Sequence, residues 1–229
     1  MDDIDLVIFD CDGVLVDSEV IAARVEADLI TKAGYPISAA EISETYAGLT
    51  FRDILLRVEK EADMPFQATL IEQARTEMER ELRRSVQAIE GVHEAVAAVE
   101  TKRCICSNSR SDMLDMMLTK TGIKPLFGAD IFAALETPTA KPKPAPDVFL
   151  FAAEKMKADP RRTFAIEDSV HGIHGAKAAG MRVIGFTGGS HSYPGHGDLL
   201  MEAGAETVIR RWAELKGVLG ALASWSEIA

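Results

Sequence analysis

Residues 6–9, Leu-Val-Ile-Phe, form an unbroken apolar run of β-branched and aromatic side chains. That is the pattern of a parallel strand buried on both faces. From residue 17 to residue 87 the apolar positions fall at helical spacing instead. Ser18 stands as an N-cap, and Val20, Ala23, Ala27, Ile30 and Thr31 recur up to Gly34. A short helix is expected over 38–46, with Glu41 in the capping-box position. A third is expected over 50–62, with Ile54, Leu55 and Val58 on one face, and a long fourth from Pro65 to about Val86. In the fourth, the pairs Glu72–Arg75, Arg75–Glu79 and Glu79–Arg83 have i, i+3 or i, i+4 spacing and read as a solvated, self-pairing face.

From residue 90 the period alternates. Strands are expected at 104–107, 129–134, 163–167, 182–186 and 206–209. Helices are expected over 92–101, 109–121, a stretch reaching about Met156, 169–179, around Leu199 and from Trp212 onward. Such alternation implies an α/β fold with a doubly wound, Rossmann-like parallel sheet. The expected core is residues 1–16 and 88–229, with the helical block 17–87 inserted after the first strand.

Bulk composition narrows the class. The chain has 229 residues, 47% hydrophobic and 27% charged, as in ordinary soluble proteins. Its net charge of −11, without a basic cluster, argues against nucleic acid or an anionic membrane surface as partner. No apolar run reaches membrane-spanning length, and Met-Asp-Asp-Ile-Asp does not open a signal peptide. Cys11, Cys104 and Cys106 give no disulfide framework, so a reducing, cytoplasmic setting is expected.

The chemistry gathers at strand ends. Asp10 and Asp12 follow the first strand at a spacing of two and so project together, with Gly13 permitting a sharp turn beside them. The bland alternative is a solvated turn. Two adjacent like charges need a cation or a shared proton. Another strand ends in Ser107 and Asn108, another in Glu167 and Asp168, and a proline-rich loop carries Lys141 and Lys143. In a parallel sheet these ends lie along one edge and can converge. Carboxylates for a hard cation such as Mg²⁺, a hydroxyl and amides for an oxyanion, and a fixed ammonium together suit phosphoryl transfer. Other groups read more plainly. Cys104 and Cys106 read as buried thiols in place of a soft-metal pair. His171, His174, His191 and His196 would need to converge to hold zinc. Gly188-Gly189-Ser190 reads as a turn, with a phosphate cradle the weaker alternative.

The order DxDGVLVDSE, a strand ending in Ser-Asn, then KPAPDVF, then EDSVHGI with Gly180 beyond it, resembles the haloacid dehalogenase superfamily. It looks most like the β-phosphoglucomutase-like branch, over nearly the whole chain. The resemblance implies that Asp10 is a nucleophile forming an aspartyl-phosphate and Asp12 a general acid/base. It further implies that Asp10, the Asp12 carbonyl, Asp168 and, in or behind that shell, Glu167 hold Mg²⁺. Ser107 and Lys143 would bind the transferring phosphoryl group, Lys143 being chosen over Lys141 by its Lys-Pro-Ala-Pro context. Gly13, Asn108 and Arg52 are expected at the substrate, with Arg24 a further candidate for a second anionic group. The helical block would be a cap, and a monomer is expected because that cap must move. Asp12 favours phosphate over carbon–halogen chemistry. Mutases of this branch carry a histidine shortly after the position of Glu19, whereas this chain reads Val20-Ile21-Ala22-Ala23-Arg24, and Phe51 stands where arginine is expected near Gly48. The expected activity is therefore hydrolysis of a small phosphate monoester, a sugar or sugar-acid phosphate. A phosphosugar mutase is the alternative. A receiver-type phospho-acceptor module is disfavoured by length and by the insertion.

Overall fold

The structure, a computed structural model, describes residues 4–46, 49–62, 65 and 69–225, the last without the Trp225 side chain. Six strands form one parallel sheet: β1 Leu6–Phe9, β2 Lys102–Ser107, β3 Ile131–Ala133, β4 Thr163–Glu167, β5 Arg182–Phe186 and β6 Thr207–Ile209. Their order is β3-β2-β1-β4-β5-β6. This is the doubly wound arrangement, and its direction of winding reverses between β1 and β4. A crevice opens at such a switch point, beyond the carboxyl ends of the two strands.

Each strand is apolar on both faces because helices cover both. On one side, Val7, Phe9, Ile105, Phe164, Ile166, Ile184 and Phe186 pack with α5 (Val92–Ala97), α6 (Ser111–Lys120) and α10 (Leu215–Trp225). On the other, Leu6, Ile8, Cys104, Cys106, Ala165 and Val183 meet α7 (Asp147–Met156), α8 (Val170–Ala178) and α9 (His196–Glu202). Cys104 and Cys106 are thus core thiols, fully buried. Under the end of β1, Trp212 stacks on Phe186 at a centroid distance of 4.5 Å, and Phe9 lies 5.8 Å from Trp212 and 5.6 Å from Phe127. This aromatic block fixes the backbone from which Asp10 emerges.

Between β1 and α5 come four helices: α1 (Glu19–Lys32), α2 (Ala39–Thr45), α3 (Phe51–Ala62) and α4 (Thr69–Ser85). Ala23, Ala27, Ile30, Ile42, Tyr46, Ile54, Leu55, Val58 and Leu70 give the insertion an apolar cluster of its own. The capping box at Ser38 and Glu41 is formed. Where the chain leaves for the insertion and where it returns, it pairs with itself: Val16 bridges Ala88, Asp17 N–H donates to Gln87 O at 3.0 Å, and Ile89 N–H donates to Leu15 O at 3.1 Å.

Several boundaries differ from expectation. Strand β2 begins at Lys102, because Lys102 and Arg103 pair with Leu6 and Val7 while their charged heads reach the carbonyls of Met156, Leu126 and Val99. That shortens α5 to Val92–Ala97. A 3₁₀ turn, Trp212–Glu214, precedes α10. In α4, Arg75 bonds Glu72 and Arg83 bonds Glu79 on the exposed face; residues 66–68, expected to open that helix, lie outside the described residues, as does Gly48. Truncating Trp212→Ala should cost about 3–5 kcal/mol by opening a cavity between Phe9 and Phe186. Urea denaturation read by circular dichroism checks this, and a shift under about 1 kcal/mol would mean that the block is not a keystone.

Candidate active site

Chain direction does most of the work of assembly. As β1 ends, Asp10 keeps the ladder, its N–H donating to Ile166 O at 3.0 Å, while its Oδ1 accepts from Cys11 N–H at 2.8 Å. The chain then turns back within four residues, Leu15 N–H donating to Cys11 O and Gly13 N–H to Val16 O, both at 2.9 Å. Asp12 sits within that turn. Its Oδ1 accepts from Ser18 Oγ at 2.8 Å, and its Oδ2 from Ser107 Oγ at 3.1 Å and Ser109 Oγ at 2.7 Å. Three hydroxyls hold this carboxyl group in one orientation.

Lys143 is the cation of the site. Its Nζ lies 2.9 Å from Asp10 Oδ1, 2.7 Å from Glu167 Oε1 and 2.7 Å from Cys106 O, and its side chain is 3% exposed. The backbone that carries it is gripped by Asn108, which accepts from Lys143 N–H at 2.8 Å and donates to Lys143 O at 3.3 Å. Asn108 was expected at the substrate; both ends of its amide are instead engaged by the lysine. Lys141, by contrast, is 64% exposed and sits 3.8 Å from Asp147.

Asp10, Glu167 and Asp168 offer oxygens within 4.8 Å of one another, all buried, and form the one group of this kind among the described residues. The four histidines do not converge: His171 and His174 lie exposed on α8, while His191 and His196 are on the opposite approach, against Asp168. Three buried carboxylates lie with one ammonium, and for Asp10 and Glu167 burial is felt in their protonation. Burial pushes the Asp10 carboxyl up to about 6, against Lys143 and with added repulsion from Asp168 and Asp12. Burial and the Asp10 charge push Glu167 well above the carboxylate range. Burial would lower the Lys143 ammonium, but Asp10 and Glu167 outweigh it and hold it above its ordinary value. Glu167 Oε2 is buried without a hydrogen-bond partner. An all-oxygen donor set with surplus negative charge and an orphaned oxygen fits a hard divalent cation such as Mg²⁺.

Two glycines make room for this crowding. A Cβ on Gly172 would stand 1.8 Å from Glu167 Oε2, and one on Gly13, whose φ is +68°, would stand 1.9 Å from Asp168 Oδ2. Gly13 therefore serves the carboxylates as well as the turn. Ser107, expected at the phosphoryl group, is bonded to Asp12 and accepts from Ser109 N–H at 2.9 Å. Arg52 is exposed on α3 and is not among the residues brought together. Arg24 lines a groove between α1 and α4 with Arg80 and Arg84, away from the carboxylates. Sequence reasoning missed Ser18, Ser109, His191, His196 and Glu19 as site residues. Glu19 opens α1 facing the same charges. Enclosure, then Asp168 and Asp12, push its carboxyl up to about 8, and solvent reaching the side chain screens part of that push. Ser18 and Ser109 were legible in principle, each lying beside a recognised motif.

Known proteins carry the same pattern. The family described as haloacid dehalogenase-like hydrolase matches residues 7–186. The chain belongs to that family. It is 29% identical over 195 residues to 6-phosphogluconate phosphatase of Escherichia coli, covering 85% of this chain and 87% of that protein. It is 33% identical over 193 residues to hexitol phosphatase B of the same organism, covering 77% and 81%. A haloacid dehalogenase-like protein of unknown function from Agrobacterium tumefaciens superposes with a TM-score of 0.93 at 55% identity, covering 96% of this chain and 99% of that one.

The raised Asp10 fixes the sign of a pH effect. The folded protein binds its proton up to about 6, whereas the unfolded chain releases it near 3.8. Its contribution is thus present below the unfolded value and lost as pH rises through the folded one. In chelator, Asp10→Asn should gain on the parent by on the order of 2 kcal/mol between pH 4 and pH 7, measured by urea midpoints. A pH-independent difference would show that Asp10 carries no such strain.

Proposed function

We propose that this protein is a Mg²⁺-dependent phosphomonoesterase that hydrolyses a small phosphorylated sugar or sugar acid through an aspartyl-phosphate on Asp10. The observation that carries this reading is the placement of Lys143 Nζ between Asp10 and Glu167, at 2.9 and 2.7 Å, with Asp168 completing the carboxylate group at the switch-point crevice. A nucleophilic carboxylate must meet a phosphate that repels it, and a buried fixed ammonium lowers that repulsion.

In this reading an Asp10 oxygen bonds to phosphorus as the ester P–O bond breaks, and the departing alkoxide takes a proton from Asp12. Asp12 then removes a proton from a water whose oxygen bonds to phosphorus. The bond between Asp10 and phosphorus breaks, inorganic phosphate leaves, and both carboxyl groups return to their starting states. Ser18, Ser107 and Ser109 hold Asp12 in line for the two transfers, and rotation of the Ser107 hydroxyl offers a donor to the phosphoryl oxygens. Lys143 neutralises the transferring group, and Asn108 keeps Lys143 in register. Asp10, Glu167 and Asp168, with the main-chain carbonyl of Asp12, would hold the cation, which when bound would neutralise phosphoryl charge. The helical insertion acts as the cap over the crevice and supplies contacts to the sugar.

The substrate class is supported by the two Escherichia coli relatives, whose names specify a sugar-acid phosphate and hexitol phosphates. Hydrolysis is favoured over a mutase because α1 opens with Glu19 and carries no histidine in its first two turns. A cytoplasmic enzyme fits three buried thiols, none of them in a disulfide.

Phosphate release should be metal-dependent and concentrated on phosphorylated sugars, sugar acids or polyols in a panel that includes nucleotides and glycolate phosphate. Asp10→Asn should abolish release with the fold intact by circular dichroism, and retained turnover would sink the covalent route. Asp12→Ala should lower turnover by about 10²–10⁴-fold while a base-labile phosphoenzyme accumulates from a substrate with a good leaving group. Isomerisation without free phosphate would overturn hydrolysis.

A further inference from the structure

The loop between β5 and α9, together with the first residue of α9, touches Asp168 twice. His191 Nε2 lies 3.1 Å from Asp168 Oδ2, and His196 Nε2 lies 2.8 Å from the Asp168 main-chain oxygen. One histidine therefore meets the side chain and the other the backbone of the same residue. The loop is built to hold them there. His196 Nδ1 is 3.2 Å from Ser192 Oγ, Ser192 N–H donates to Gly189 O at 3.1 Å, and His196 N–H donates to Tyr193 O at 3.1 Å. The two imidazoles pack edge to face at 5.6 Å, and Tyr193 stacks on His196 at 5.0 Å. Ser190 N–H, next to His191, donates to Asp17 Oδ1 at 2.9 Å and ties the loop to the start of the insertion. Gly13 is part of the same fit, since a Cβ there would also stand 2.8 Å from His191 Cε1.

We propose that His191 is a positioning residue: its ring N–H fixes Asp168 Oδ2 and so turns the other carboxylate oxygen toward Asp10 and Glu167, setting the affinity of the group for a divalent cation. The proposal rests on the reading of that group as the cation site. A carboxylate on a mobile Asp side chain rotates, and rotation costs affinity when a small cation demands fixed octahedral geometry. An outer N–H bonded to one oxygen removes that freedom, and loss of such a partner lowers metal affinity by about 10–100-fold. Asp10 needs no such partner, because Lys143 and Cys11 N–H already hold its Oδ1. Glu167 is likewise held at Oε1 by Lys143 and boxed in by Gly172. Within the group, Asp168 is the member without the lysine, and His191 takes that place.

Isothermal titration of the metal-free protein with MgCl₂ tests this, alongside urea denaturation in chelator. His191→Ala should weaken Mg²⁺ binding by about tenfold or more, with the metal-free denaturation curve cooperative. His191→Gln, which keeps an N–H donor within reach of Oδ2, should restore binding to within about threefold of the parent. Equal affinity in parent and His191→Ala, tighter binding in His191→Ala, or His191→Gln no better than His191→Ala, would overturn the proposal. A parent that binds no Mg²⁺ would instead overturn the cation reading on which it stands.

Discussion

Three buried carboxylates that repel one another, offset by one ammonium, are the constraint on which the rest of this structure depends. Water would screen Asp10, Glu167 and Asp168 at the surface, but here they are buried, where screening is weak. Lys143 is one charge against three, and burial, with repulsion between the carboxylates, pushes Asp10 and Glu167 upward. A protein does not keep such a cluster for stability, because burying unbalanced charge is unfavourable. In the proposed function its use lies in what would enter the crevice: a cation, and a phosphoryl group whose own charge the ammonium and cation would share.

The fold explains how the constraint is met. Strand order reverses between β1 and β4, so Asp10 leaves one strand and Glu167 and Asp168 end the next with nothing between them but the crevice. The stiffness comes from below, where Phe9, Phe186 and Trp212 pack against one another. Crowding above is relieved by subtraction: Gly13 and Gly172 lack the one carbon that would collide with Asp168 and Glu167. Rigid aromatics beneath and missing side chains above are complementary ways to hold like charges close.

Much of this was legible in the residues, and the exceptions share a physical cause. Strand and helix periods were readable because both faces of the sheet are covered, so the apolar runs are unbroken. Asp10, Glu167 and Asp168 were readable because each sits where an apolar run stops. The choice of Lys143 over Lys141 came from its Lys-Pro-Ala-Pro context, and burial of the one and exposure of the other agree with it. The grip of Asn108 on the lysine backbone was not legible, because sequence shows a side chain's hydrogen-bonding capacity and not its partner. His191 and His196 were weighed only as members of a zinc site with His171 and His174 and set aside, since a spacing of five in a Gly/Ser loop has no period to show which way a ring faces. Lys102 and Arg103 hid the start of β2 because polar residues at a strand's rim keep the ladder while their heads reach outward.

The paired crossings at Val16 and Ala88 have a mechanical meaning. Two unconnected threads would let the helical insertion translate, twist and tilt. Threads that hydrogen-bond to each other form a ribbon, which bends across its thin direction and resists shear in its plane. For an insertion that acts as the proposed cap, such a ribbon would favour a swing about one axis and return α1 to the same place at each closure. That axis passes Asp17, the residue that also anchors the loop carrying His191. In the proposed reading of the insertion as a cap, its swing and the hold of His191 on Asp168 would share that pivot.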